Sequence, residues 1–301
     1  MVARQVFLRA VIISIMNASE NLSSSNIGNK LLARYSDTDS LFAKPTPIAA
    51  SPRTNSIPLQ RSQELEQSIK HSPAIVEPYI ELAQIYVQQE RWVDARRILE
   101  AGKQNCPENE TVLLLHEDLM LTLSTQLLDN AKKELAQRPC DDTRYAKEQA
   151  EISLINERIR VCRERYHRNP DQKEILITWA IALRQQQKYD EAIALLNQAT
   201  KDLKLRARAS LQLGMCYQAL ERPLDALSSF RRAALFRSPP PDPKVASVAL
   251  ELAASLAEDN GLIDSSIFYL EQLVKLVGEN ERQAILDKIE RLRPHLPQSY
   301  T

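Results

Sequence analysis

The stretch Leu213-Gly214-Met215-Cys216-Tyr217, followed nine residues later by Ala226-Leu227-Ser228-Ser229-Phe230-Arg231-Arg232-Ala233, decides the fold. Two antiparallel helices approach closely only where small side chains face each other and large ones fill the flanks. Gly214 and Ala226 supply the small positions; Leu213, Tyr217 and Phe230 supply the large ones. The polar stretch Glu221-Arg222-Pro223 between them reads as a turn.

Working outward, the pattern recurs with a 34-residue period in windows beginning at Val76, Lys173, Ala207 and Ala246. The eighth residue of each is small (Ala83, Ala180, Gly214, Ala253), as is the twentieth (Ala95, Ala192, Ala226, Ser265). Large apolar residues take the seventh (Leu82, Trp179, Leu213, Leu252), the eleventh (Tyr86, Leu183, Tyr217, Leu256) and the twenty-fourth (Leu99, Leu196, Phe230, Tyr269). A second polar turn, Gln89-Glu90-Arg91, punctuates the first window.

These windows resemble tetratricopeptide repeats. Leu213-Gly214, Tyr217, Ala226, Phe230 and Ala233 match that family's spacing, and Tyr79, Leu82, Ala83, Tyr86, Ala95, Leu99 and Pro107 match it nearly as well. The window from Lys173 matches less fully, and the last has Gln272 where the family prefers alanine. Residues 59–71 read as the second helix of a half repeat. The resemblance covers roughly 58–280 and implies an all-α fold, a right-handed superhelical solenoid of antiparallel helix pairs. Repeats are expected near 76–109, 173–206, 207–240 and 246–279. In the last connection Asp242 is expected to cap a helix with Pro243 at its first position. Stacked repeats expose an apolar end, so a capping helix is expected over 280–293, with Ile285, Ile289 and Leu292 inward and a tail over 294–301.

Residues 110–172 are too long for one repeat. Pro139-Cys140-Asp141-Asp142 is the one break signal before Asn169-Pro170, so the spacing predicts a long hairpin with helices near 110–137 and 143–168. On the second helix Tyr145, Ile152, Ile155, Ile159, Cys162 and Tyr166 form a heptad-like seam against the first. The first helix is apolar on two sides: Val112, Leu119, Leu123 and Leu127 with Met120, and opposite them Leu114, Leu121 and Leu128. Either neighbouring helices cover both sides, or the second stripe is a docking seam.

Composition narrows the function. Among 301 residues, 39 basic side chains balance 39 acidic ones, which argues against non-specific polyanion binding by the whole molecule. Five scattered glycines leave no room for a dinucleotide fingerprint, a P-loop or a nucleophile elbow. Cys106, Cys140, Cys162 and Cys216 form no closely spaced pair, so neither a zinc ribbon nor disulfides are expected, and the compartment reads as cytoplasmic. His71, His116, His167 and His295 are scattered, and Asp141-Asp142 reads as a solvated turn. No catalytic residue, metal or cofactor is expected. Arg158, Arg160, Arg163, Arg165 and Arg168 offer an RNA-binding alternative over 158–168, against which Glu157 and Glu164 intervene as salt-linking partners.

The resemblance implies that a protein partner, as a peptide or amphipathic helix, lies along the concave surface built from each repeat's first helix. By position that surface carries Ile80, Gln84 and Val87; Leu114, Asp118 and Leu121; Ile177, Ile181 and Arg184; and Arg208, Leu211 and Met215. Family members that grip acidic chaperone tails use Lys/Asn pairs where Ile80 and Gln84 stand here. The expected role is a non-enzymatic adaptor, without a small-molecule substrate.

Residues 1–57 differ from the rest. Their serines and Pro45, Pro47 and Pro52 read as a disordered or targeting segment. The run Val6–Met16 is too short to span a bilayer and is interrupted by Arg9. An export signal, an organelle transit peptide and a true start at Met16 all remain open readings.

Overall fold

The computed structural model describes residues 58–236 and 239–295; the expected N-terminal segment 1–57 and residues 296–301 of the tail lie outside the described residues. The described residues form twelve α-helices and one 3₁₀ turn (Arg293–His295), with no strand among them. They divide into two compact units, one ending at Lys188 and the other beginning at Tyr189.

The first unit contains α1 (Pro58–His71), α2 (Glu77–Gln88), α3 (Trp92–Asn105), α4 (Glu110–Gln137), α5 (Asp141–Arg168) and α6 (Glu174–Gln185). Consecutive helices pack on each other, as short connections require of antiparallel neighbours. Ala83 and Ala95 are buried where α2 meets α3, with Tyr79, Leu82, Tyr86 and Leu99 around them. The two buried tyrosines keep their hydroxyls satisfied. Tyr79 donates to the carbonyl of Pro73 at 3.0 Å and accepts from Asn105 at 2.8 Å, while Tyr86 donates to the Glu66 carboxylate at 2.6 Å.

The hairpin has the expected helices. Asn109 caps α4 by accepting from the Val112 amide at 3.0 Å. Thr143 Oγ1 accepts from the Cys140 amide at 3.1 Å at the start of α5. Both apolar sides of α4 are engaged in part. Val112 and Leu119 join the α2–α3 core, and Leu128 with Ala131 packs on Ala150 and Leu154 of α5.

The expected seam on α5 is corrected. The buried residues are Ala150, Leu154, Val161 and Cys162, whereas Tyr145 is 64% exposed and Ile152 49%. The face read as the α4 contact belongs partly to α6, where the Tyr166 and Trp179 rings meet at 6.3 Å between centroids. A periodic apolar row records that a face is covered but not which neighbour covers it. Here Ala150 and Leu154 meet α4 instead. At 1.5 Å per residue, 28-residue α5 runs for about 42 Å while 12-residue α6 covers about 18 Å. The N-terminal half of α5 therefore extends past α6.

The second unit contains α7 (Tyr189–Ala199), α8 (Arg206–Ala219), α9 (Pro223–Ala234), α10 (Pro243–Asp259), α11 (Ile263–Val274) and α12 (Glu279–Leu292). Ala192, Ala226 and Phe230 are fully buried, and Gly214 sits directly against the Phe230 ring. Asp242 caps α10 by accepting from the Lys244 amide at 2.8 Å, with Pro243 at the first position. Ile285, Ile289 and Leu292 of α12 close the apolar end.

One closing device recurs. Glu90, Gln187, Glu221 and Gly261 each hold a left-handed backbone after a first helix, at φ between 56° and 72°. The following amide reaches back five residues, as in Arg91 to Tyr86 (2.8 Å), Lys188 to Leu183 (3.0 Å), Arg222 to Tyr217 (2.9 Å) and Leu262 to Ala257 (2.8 Å). Glu221 and Gly261 stand 40 residues apart, which corrects the register of the last window by one. Its close-contact residues are Ala254 and Ser266, whose hydroxyl donates to the Ala254 carbonyl at 2.9 Å, and Leu270 takes the place expected for Tyr269. Ser265, expected at that contact, is half-exposed.

Candidate partner-binding surfaces

In the unit ending at Lys188, Ile80, Gln84 and Val87 follow one another at helical spacing along α2 and are half-buried. Ile80 and Val87 rest on the core with one side and face outward with the other. On α4, which touches α2, Leu114 is half-buried and Asp118 is exposed. Leu121 is buried, and so are Ile177 and Ile181 of α6. Arg184 is half-buried and partnered within the molecule.

In the unit from Tyr189, Arg208 and Met215 are half-buried, and Met215 leans on the core of α8–α12. Leu211 is fully buried in that core. Of the twelve positions expected on the concave surface, Leu121, Ile177, Ile181 and Leu211 thus serve packing. The other eight retain surface. The difference is local crowding: α6 buries seven of its twelve residues, against five of twelve in α2.

Electrostatics concentrate where α5 meets α4. Glu117 is buried and receives Arg165 Nε at 2.8 Å and Arg168 at 2.7 Å. Arg165 also bonds Asp118 at 2.5 Å. Burial alone would push the Glu117 carboxyl upward, but the bonds from Arg168 and Arg165 outweigh it and hold it below the usual carboxylate range. Beside it, burial and the charges of Lys103 and Arg160 hold the His116 imidazole below its ordinary pKa. Arg160 is bonded by Glu157 and by Glu164 at 3.0 Å. Arg158 is also partnered, and Arg163 is exposed. The arginines of 158–168 are thus largely committed to carboxylates on α4 and α5, and a committed guanidinium offers little to a phosphate backbone.

Sequence reasoning missed that apolar side chains of the long hairpin, Leu127 (54% exposed), Tyr145 and Ile152, stand exposed. Comparing the hairpin's length with that of its neighbours would have revealed it. No three metal-ligating side chains cluster among the described residues, and no helix there is long and apolar enough to cross a membrane. All four cysteines are free thiols.

Residues 177–243 match the family model described as tetratricopeptide repeat. No curated protein matches the chain. Solved structures similar to it include YrrB, a TPR protein with an unusual peptide-binding site. That match has 11% identity over 76% of this chain and 99% of YrrB, at a TM-score of 0.43. A tetratricopeptide repeat protein from Parabacteroides merdae ATCC 43184 shares 12% identity over 88% of this chain and 98% of its own, at 0.36. The Naa15/Naa10 assembly bound to HypK-THB shares 14% over 90% of this chain and 42% of that one, at 0.37.

Proposed function

We infer that this chain, a tetratricopeptide-repeat protein, is a non-enzymatic adaptor that holds another protein as a peptide or amphipathic helix along its first-helix surfaces. The observation that carries the reading is the row of apolar side chains left half-covered on two touching helices, Ile80 and Val87 on α2 and Leu114 on α4. Ile80 and Val87 are anchored on one side by core and Leu114 is half-buried beside them, which is how a rigid array offers apolar area at low ordering cost.

Affinity capture from a lysate, with mass spectrometry, tests it. Ile80→Glu combined with Leu114→Glu should remove the captured partner while leaving the helical circular dichroism and melting intact. An unchanged partner set from a folded double variant would sink the reading.

A further inference from the structure

We propose that the cleft between the loop entering α8 and the proline-rich loop entering α10 is a phosphate-monoester site that takes a phosphorylated serine or threonine of a partner polypeptide. The cleft lies wholly within the unit that begins at Tyr189. It encloses about 70 Å³ and is lined by Lys204, Arg206, Arg208, Phe236, Pro239–Pro241 and Asp242. That volume suits a single oxyanion group carried on an extended segment, not a folded surface.

Charge sets the ligand class. Arg61, Arg160 and Arg222 meet carboxylates elsewhere in the chain. No ion pair engages Lys204, Arg206 or Arg208 among the described residues, although the three converge on one small cleft. The one carboxylate there, Asp242, is engaged in capping α10. Three cations against one carboxylate leave an excess of two positive charges. A phosphate monoester carries about −1.5 to −2 at neutral pH and balances that excess, whereas a carboxylate brings only one charge.

The cleft is also preformed. The Arg206 guanidinium lies over the Phe236 ring at 4.4 Å, and its Nε points to the Thr200 carbonyl at 3.4 Å. Its two terminal nitrogens are left for a ligand in a fork that suits phosphate oxygens. The three prolines fix the opposite wall, so little ordering accompanies binding.

The test is calorimetric titration of the full chain, at fixed ionic strength, with a short serine peptide carrying or lacking phosphate on its hydroxyl, and with inorganic phosphate. The phosphopeptide should bind and the unmodified peptide should not. Arg206→Gln and Arg208→Gln should each weaken binding about tenfold or more, with unchanged melting. Should either variant melt early, Lys204→Gln, at an exposed loop position, carries the same expectation with a smaller loss. Ile80→Glu with Leu114→Glu should leave phosphopeptide affinity untouched, which separates this site from the apolar surface. Absence of binding overturns the proposal, as does equal binding of the unmodified peptide. Binding of inorganic phosphate without the phosphopeptide, or phosphopeptide binding that survives the arginine and lysine changes, overturns it equally.

Discussion

Gly214 of α8 lies directly against the Phe230 ring of α9, so that a methyl group built on the glycine would overlap the aromatic ring. Phe230 is fully buried, and in a close-packed interior its ring can yield only by shifting its neighbours. The glycine is thus fixed by its neighbour's bulk, at a point where the helix itself would prefer alanine.

Gly214→Ala should therefore destabilise the chain despite its gain in helix propensity. The expected net loss is about 1–3 kcal/mol, the usual cost of overpacking a core. Thermal denaturation followed by circular dichroism measures it. Phe230→Leu in the same background should recover part of the loss, because the two changes share one contact.

The left-handed closures make a pair of predictions of opposite sign. Glu221→Gly should stabilise by about 0.5–1 kcal/mol, since a side chain at φ 56° is strained and glycine is not. Gly261→Ala at φ 72° should destabilise by about 1 kcal/mol, although nothing stands in the way of its methyl group. Melting midpoints of the two variants check both signs.

Much of this repeat was legible because its signals are local. A small residue at 95, 192 or 226 must face another helix wherever the helices pack, so the pairing follows from a few dozen residues. Register in the last repeat was not legible. Ala253-Ala254 and Ser265-Ser266 satisfy the small-residue rule in either frame, and only the turn at Gly261 decides between them. The exposure of the residues expected on the concave surface was not legible. Ile80 and Ile181 occupy comparable helical positions, yet the first keeps an open side and the second is buried on a helix with more of its residues enclosed.

Acid should loosen the hairpin base in two steps. His116 has a folded pKa below its ordinary 6.5, so the unfolded chain takes up a proton first and stability falls as pH drops below about 6.5. Glu117 is likewise held below its ordinary 4.5, so its contribution is complete above that value and is lost as pH falls further. Hydrogen exchange of α4 and α5 between about pH 2.5 and 8 reads both steps, because the lower one begins only below 4.5. Glu117→Gln should abolish the lower step and cost about 3 kcal/mol at neutral pH, as expected when one member of a buried ion pair is removed.

The thiols should separate by reactivity. Burial pushes the Cys162 thiol up to about 12, so it should resist alkylation until the unit opens. Bonds from Thr143 lower the pKa of Cys140, which stands at the hairpin turn. Timed iodoacetamide labelling with peptide mass mapping should find Cys140 modified well before Cys162. Equal rates in the folded chain would contradict this order.

The overhang of α4 and α5 past their short neighbours means that the distal turns answer only to each other. Their length is therefore an adjustable spacer: excising two matched turns, one stretch of seven from each limb, would bring Cys140 inward by roughly 10 Å without asking any other repeat to repack.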